Sequence, residues 1–219
     1  MVKSSSRKAT HGTRGISTVE VLASSVLSLM TIGTIYVTQQ GQTKAYAAQR
    51  AYADAQTVTR SVMDLMTREL RLAGYNPTNA AGLLHNEAGC VGITRAFLTA
   101  TPTQVRFQQD LNGNGAIDAA LGEDVTYDIS GSQLRRRQGA GAATPLVDYA
   151  VPTTGLSFRY FNNSSPTPVE LVPPLGACQL ANIAKVRITL NASVPNPHHP
   201  MNSTAESEIA VRNRSLSNF

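Results

Sequence analysis

Hydrophobic positions divide the chain into a long helical part and a β-rich part. Residues 16–37 form a mostly apolar run of 22 residues, which spans about 33 Å as a helix and is long enough to cross the hydrocarbon core of a bilayer. Helix-favouring residues continue without proline up to Gly74, and a glycine followed by Pro77 is typical of a helix end. The pattern predicts one helix over residues 16–75, with a membrane-spanning or assembly segment at 16–37 and an amphipathic segment at 38–75.

The amphipathic segment carries its apolar residues on one face of the helix. That face holds Val58, Val62, Leu65, Met66, Leu72 and Ala73. The opposite face holds Arg60, Asp64, Thr67, Arg68 and Arg71. Glu69 is the exception, because it lies inside the apolar stripe. We expect this stripe to pack on a globular domain that follows the helix.

After the helix the hydrophobic period changes from 3.6 to 2, which predicts β-strands. The candidate strands are Val105–Gln108, Asp124–Ile129, Gln133–Arg137, Leu146–Val151, Leu156–Tyr160, Ile183–Val194 and Glu206–Arg214. Ser130 and Gly131 indicate a tight hairpin between two of these strands. The predicted fold class is α+β, in which the long helix packs on an antiparallel β-sheet domain at residues 76–219.

Charged residues on two of the predicted strands suggest how those strands are placed. Glu206 and Glu208 are candidates to face Lys185 and Arg187 across the last two strands, although the sequence does not specify the register. The three arginines at 135–137 alternate across a strand that follows the hairpin. A charged edge strand is favoured there over an anion site, and a partner subunit facing these arginines stays open.

Charge is concentrated at the amino terminus. The formal net charge is +5, but four basic residues (Lys3, Arg7, Lys8 and Arg14) precede Gly15, so removal of this leader leaves +1. A positive leader favours a cytoplasmic amino terminus. The chain has no Trp and few aromatic residues, so a base-stacking platform is not expected and no nucleic-acid partner is inferred.

One carboxylate interrupts the start of the apolar run. Glu20 is the fifth residue after Gly15, within an otherwise uncharged helical segment. An acidic side chain inside a bilayer costs about 2.5–3.5 kcal/mol on insertion scales, so such a residue usually has a function. The cost is explained if the chain is cut after Gly15 and Glu20 then pairs with the new α-amino group of a neighbouring subunit.

The segment from Arg14 to Leu22 resembles the prepilin signal of type IV pilins and of type II secretion pseudopilins. Thr67–Tyr75 resembles the helix end of PilW-type minor pilins, and Val211–Arg214 resembles the closing strand of that family and of the related J-type pseudopilins. Two features depart from the pattern. Ile16 stands where phenylalanine is usual, and the helix lacks the proline found in many major pilins.

The resemblance implies a pilin-like fold and a structural function. Residues 1–15 are then a leader that a prepilin peptidase removes after Gly15, and Ile16 is the first mature residue, usually N-methylated. The implied protein is a single-pass inner-membrane precursor that joins major and minor pilin subunits in an extracellular type IV pilus. Assembly proceeds through the amino-terminal helix and Glu20, and the subunit supports pilus initiation, adhesion or motility.

Two other functions stay open from the sequence. The nearer one is a minor pseudopilin of a type II secretion system, which is also structural and works in the periplasm. The more distant one is a secreted calcium-binding adhesin domain, either with an uncut anchor or starting at Ala48 after the site Ala45–Tyr46–Ala47. An enzyme is not expected, because none of the hydrolase, metalloprotease or nucleotide-binding motifs sought is present.

The segment from Asp110 to Asp118 matches the first nine positions of a calcium-binding loop. Oxygen ligands are expected from Asp110, Asn112, Asn114, the carbonyl of Ala116 and Asp118. Position twelve is Leu121 rather than a bidentate glutamate, so Glu123 or Asp124 is the candidate replacement at a slightly different spacing. Calcium is the candidate cofactor, and a solvated turn between strands is the alternative.

The chain has two cysteines, Cys90 and Cys178. Export from the cytoplasm favours a disulfide between them, and two unpaired buried thiols are the alternative. Closing a loop of about 89 residues would stabilise the fold by about 4–5 kcal/mol on the chain-entropy model.

Overall fold

The fold is described from a computed structural model of the chain. The residues that it describes are 15–78, 84–85, 93–94, 96–147, 155–164, 166–194 and 201–211. The chain forms two compact units, Met1–Ala48 and Gln49–Phe219. A long amino-terminal helix is followed by antiparallel β-sheets, which confirms the predicted α+β class.

The long helix, α1, runs over Thr18–Arg71, within the predicted span of 16–75. Its end is defined by Gly74, which has a positive φ of 74° that L side chains rarely adopt. The Gly74 N–H donates to the carbonyl of Gln108 at 2.8 Å. This hydrogen bond ties the chain just after the helix to the end of the strand Gln104–Gln108. The sequence signal at Gly74 therefore marks a real change of direction.

The buried face of α1 is rotated from the predicted stripe. The buried residues are Ala55, Thr59, Val62, Met63, Met66 and Leu70. Val62 and Met66 are buried as expected, but Val58 is 42% exposed and Leu72 is 38% exposed. The rotation moves Glu69 from the middle of the stripe to its edge, where polar partners lie. The predicted face is therefore wrong for Val58 and Leu72. Helical periodicity reports only the spacing of apolar residues, so it does not detect the polar partners of Glu69.

The larger sheet has five antiparallel strands that follow one another in chain order. They are β3 (Phe97–Ala100), β4 (Gln104–Gln108), β5 (Asp124–Ser130), β6 (Gln133–Gln138) and β7 (Thr144–Val147). Gly131 forms the predicted hairpin between β5 and β6, and Ser130 pairs with Gln133. The edge-strand interpretation of the three arginines is wrong, because β6 pairs with β5 on one side and β7 on the other.

The second sheet contains four strands, β8 (Leu156–Phe161), β9 (Glu170–Leu171), β10 (Lys185–Val194) and β11 (Met201–Ala210), in the order β11-β10-β8-β9. A short helix, α2 (Ala177–Ala181), lies between β9 and β10 in the chain. Two further short strands, β1 (Leu84–His85) and β2 (Ile93–Thr94), pair with each other. Glu208 lies 2.7 Å from Lys185 and 2.8 Å from Arg187, which confirms the expected facing charges. The predicted strand residues 148–151 and 212–214 lie outside the described residues.

Both sheets and the second part of α1 contribute to one hydrophobic core. Fully buried large side chains include Phe97, Phe107 and Tyr127 from the first sheet, Phe158, Tyr160 and Ile188 from the second, and Met66 and Leu70 from α1. Burial of each such apolar side chain stabilises the fold by about 1.5–3 kcal/mol. The Tyr160 hydroxyl also donates to the carbonyl of Thr101 at 2.8 Å, which links the sheets.

Candidate functional site

The first part of α1 presents a continuous apolar surface. Its large apolar side chains are all exposed, namely Val19, Val21, Leu22, Val26, Leu27, Leu29, Met30, Ile32, Ile35, Tyr36 and Val37, and Ile16 just before the helix is exposed too. Among the described residues, α1 is the one helix long and apolar enough to cross a membrane, and none of its most apolar window is buried. A surface of this size and hydrophobicity is typical of a segment covered by lipid or by other helices.

The predicted processing position lies just before this surface. Gly15, Ile16 and Ser17 precede the first helical residue, Thr18. A side chain built on Gly15 would meet no atom within 4 Å, and Ile16 is 76% exposed. Gly15 and Ile16 are therefore not packed against the rest of the described chain, and cleavage between them stays a prediction. The rest of the predicted leader, residues 1–14, lies outside the described residues.

Glu20 lies in the first turn of α1. Its backbone N–H donates to the carbonyl of Ser17 at 3.0 Å, and its side chain is exposed. A carboxylate in a first turn gains about 0.3–1 kcal/mol from the helix dipole, which offsets only part of its cost in lipid. Within the described part of the chain, no basic side chain pairs with Glu20. Pairing of Glu20 with a cation of another chain therefore stays a prediction.

The hydroxyl groups of the apolar segment are satisfied within the helix. Ser24, Ser25, Ser28, Thr31, Thr34 and Thr38 each donate to a carbonyl three or four residues earlier at 2.6–3.0 Å. A hydroxyl that is already hydrogen-bonded costs less to bury away from water. These polar residues therefore do not prevent the segment from lying in an apolar environment.

The predicted calcium loop is organised around two buried carboxylates. Asp110 accepts from the N–H of Gly113 at 2.7 Å, the N–H of Gly115 at 3.1 Å and the hydroxyl of Thr78 at 2.9 Å. Burial alone would raise the pKa of Asp110, but these hydrogen bonds hold that pKa below its usual value. Glu123 accepts from the N–H of Leu111 at 2.9 Å. The loop is thus closed by bonds from N–H and O–H groups to carboxylates.

The remaining predicted ligands lie in the same loop but also bond to one another. The Nδ2 atoms of Asn112 and Asn114 both donate to Asp118, at 2.9 and 2.7 Å, and the N–H of Asp118 donates to Glu123 at 2.6 Å. The Oδ1 atom of Asn114 accepts from the N–H of Ala116 at 2.8 Å. In the described residues no group of three or more acidic, histidine or cysteine side chains is placed to hold a metal. The Oδ1 atom of Asn112 likewise accepts from the N–H of Asn114 at 2.9 Å, and calcium stays a prediction.

A partly buried polar cluster joins α1 to the five-stranded sheet. Glu69 accepts from Nε of Arg136 at 3.1 Å, from Nη2 of Arg136 at 2.7 Å and from the hydroxyl of Tyr127 at 2.5 Å. Burial and then the negative charge of Glu69 raise the pKa of Tyr127. Burial alone would lower the pKa of Arg136, but its bond to Glu69 raises that pKa overall. The sequence signalled this cluster only as a charge inside an apolar stripe.

Comparison with known proteins gives one match. The model of the family described as prepilin peptidase-dependent protein B matches residues 48–211. The chain belongs to this family. It is therefore a pilin-related, structural protein, which agrees with the resemblance at its amino terminus. No curated protein and no solved structure matches the chain.

The family match and the predicted processing site cover different parts of the chain. The match to the prepilin peptidase-dependent protein B family begins at Ala48, so Gly15, Ile16 and Glu20 lie before it. The polar cluster of Glu69 and the Asp110 loop lie within it. The two sets of observations are therefore independent.

The predicted disulfide is only partly described. Cys178 lies in α2 and is half-buried. Cys90 lies outside the described residues, so the Cys90–Cys178 pairing stays a prediction.

Proposed function

We propose that this chain is a minor pilin of a type IV pilus. In this proposal it is inserted in the inner membrane as a precursor, cut after Gly15 by prepilin peptidase, and assembled with other pilin subunits through α1. The observation that carries the proposal is the exposed apolar segment of residues 16–37, which directly follows Gly15 and contains a single carboxylate, Glu20. Membership of a family described as prepilin peptidase-dependent supports the same processing route.

Processing creates the charge that assembly requires. Before the cut, the basic leader keeps the segment around Gly15 on the cytoplasmic side. Hydrolysis of the bond between Gly15 and Ile16 releases the leader and leaves an α-amino group on Ile16. Because this group is protonated near neutral pH, the mature terminus carries a positive charge beside the apolar helix.

Assembly then brings that charge to Glu20 of a neighbouring subunit. In the membrane each charge is costly alone, and pairing removes most of that cost because two opposite charges satisfy each other in a medium of low dielectric constant. Loss of one partner from a buried pair typically costs about 3–5 kcal/mol. The pair therefore makes entry into a helix bundle dependent on prior cleavage of the leader.

The decisive variant is Glu20→Ala in the full chain. We expect the leader to be removed normally, and the share of subunit in sheared filaments to fall by at least about tenfold. Asp54→Ala is the matched control, since Asp54 is an exposed carboxylate on the same helix, and it should assemble normally. Normal incorporation of Glu20→Ala contradicts the mechanism, and an uncut Glu20→Ala would assign Glu20 to recognition by the peptidase instead.

Calcium binding and the disulfide are separate proposals for the exported domain. Calcium would be held by Asp110, Asn112, Asn114, Asp118 and the Ala116 carbonyl, with Glu123 completing the set. A ligand that binds only the folded state raises its melting temperature. Full-length protein in detergent should therefore melt higher with calcium than with a chelator, and Asp110→Asn should abolish the difference. Equal melting in calcium and chelator contradicts calcium binding.

A further inference from the structure

The last turns of α1 contact the two sheets in different ways. Towards the four-stranded sheet, the hydroxyl of Thr67 lies 3.3 Å from that of Ser207 on β11. Towards the five-stranded sheet, Glu69 forms a two-point ion pair with Arg136 on β6 and accepts from Tyr127 on β5. Between these contacts the helix packs by apolar side chains. Among the described residues, one flank of the helix is thus held by an ion pair and the other by a contact between two hydroxyl groups.

The ion pair has little freedom to move. The Glu69 side chain is 16% exposed and that of Arg136 is 18% exposed, so water has little access to the hydrogen bonds between them. Two parallel N–H···O bonds fix both the distance and the direction between guanidinium and carboxylate. Arg136 is also held from its other side, since the amide oxygen of Gln138, when turned to accept, lies 2.8 Å from Nη1. The β6 backbone carrying Arg136 is paired with strands on both sides.

The apolar contacts of α1 specify its position less strictly. Met63 and Met66 form much of the stripe near Glu69, and both are buried. Methionine is flexible and refills irregular space, so a helix packed through methionines has several similar arrangements available. A buried ion pair contributes little net stability after desolvation, but it discriminates strongly between arrangements that keep the pair and those that break it.

We propose that the Glu69–Arg136 pair is a latch that fixes the position of α1 on the five-stranded sheet. The apolar core supplies the stability of the domain, and the latch selects one of the arrangements that this core permits. A consequence that rests on the proposed function is that the latch determines which faces of the helix a neighbouring subunit meets.

Variants that replace one or both residues of the ion pair distinguish an effect on the position of α1 from an effect on the stability of the domain. In Glu69→Leu or Arg136→Leu the remaining, largely buried charge has no partner, so we expect the ratio of folded to unfolded protein to fall by about 100-fold or more. The double variant is made in a Tyr127→Phe background, so that neither a charge nor the Tyr127 hydroxyl is left without a partner. Its ratio should return to within about tenfold of that of Tyr127→Phe alone. Chemical denaturation of the full chain in detergent measures these ratios.

The position of the helix is followed through its own methionines. The chain has five methionines, so methyl-labelled protein gives few signals, and Met63 and Met66 report on the stripe. The native protein should give one sharp methyl signal for each, and the double variant should split or broaden both. The matched control is Arg159→Leu with Glu170→Leu, which removes an exposed ion pair on the other sheet and should leave both signals unchanged.

Three results would overturn the latch. The first is a double variant that keeps single, unshifted signals for Met63 and Met66, because the helix is then fixed without the pair. The second is a double variant as unstable as the two single variants combined, because the pair then supplies stability. The third is native stability of both Glu69→Leu and Arg136→Leu, because neither charge then depends on its partner. Since the experiment needs no filament, failure of the latch is distinguishable from failure of the proposed assembly.

Discussion

The two parts of α1 share a conformation but solve different problems. From Ile16 to Val37 every large apolar side chain is exposed, whereas between Ala55 and Leu70 the apolar side chains of one stripe are buried on the sheets. The second part is stabilised by packing within its own domain. The first part has helical backbone bonds but no apolar partner in the described residues, which is compatible with a single-pass membrane anchor.

Each part also holds one carboxylate that its apolar surroundings disfavour. Glu69 is paired with Arg136 and Tyr127, so its charge is satisfied within the domain. Glu20 has no such partner among the residues that the structure describes. The charge of Glu69 is therefore part of the packing of the domain, whereas a partner for Glu20 in another chain stays a proposal.

The largest contrast is expected from two leucine truncations. Leu70→Ala leaves a cavity in the core, and we expect it to lower the free energy of unfolding by about 2–5 kcal/mol. Leu29→Ala removes a side chain that touches no core residue, so the domain should unfold as the native protein does. Denaturant titration of both variants measures the difference. Equal destabilisation would break the division between the two parts of α1.

The hydroxyl groups of two tyrosines allow the same comparison, because Tyr127 is buried in the domain and Tyr36 is exposed on the first part of α1. Tyr127→Phe removes a bond to the Glu69 carboxylate, and we expect it to cost about 1.5–3 kcal/mol of unfolding free energy. Tyr36→Phe removes an exposed bond to Gln40 and should leave the unfolding of the domain unchanged. The same titration serves as the measurement. A silent Tyr127→Phe would show that the polar cluster does not depend on this hydroxyl.

Acid should weaken the second unit through two buried carboxylates. Burial would raise the pKa of Asp124, but bonds from Arg106 and Gln108 lower it overall, and hydrogen bonds likewise lower the pKa of Asp110. A carboxyl group whose folded-state pKa is lowered stabilises the fold above its unfolded pKa of about 3.9, and this contribution is lost as pH falls through the folded value. Unfolding midpoints should therefore be steady near neutral pH and fall below about pH 4.

The double variant Asp110→Asn with Asp124→Asn is the control for this acid effect. It should be less stable at neutral pH, and its midpoint should change less with acid than that of the native protein. An identical acid dependence in both proteins would assign the loss to other carboxyl groups.

Local patterns predicted much of this fold. Helical periodicity and Gly74 located α1, and alternation located β4, β5, β6, β8 and β10. β3 was missed because its two middle residues are only half-buried and its sequence, Phe97–Ala100, does not alternate clearly. The start of β11 was missed because Asn202, Ser203 and Thr204 are polar residues of a strand at the sheet edge.

The sequence predicted those candidate residues that lie close together in the chain, and it did not predict contacts between residues far apart in the chain. Gly15, Ile16 and Glu20 are contiguous with the apolar run, so the sequence alone indicates their chemistry. The partners of Glu69 lie 58 and 67 residues away along the chain, and no local pattern connects them. The sequence detected that Glu69 is unusual, and only the tertiary structure shows which residues compensate for it.

The proposed assembly requires that the exposed apolar segment is kept and begins at a terminus made by cleavage after Gly15. The first residue of the mature protein can be identified by intact mass and terminal peptide mapping of material from membranes and filaments. We expect a start at Ile16, with or without an added methyl group. A start near Ala48 would remove the segment that carries Glu20, and it would contradict the proposed assembly.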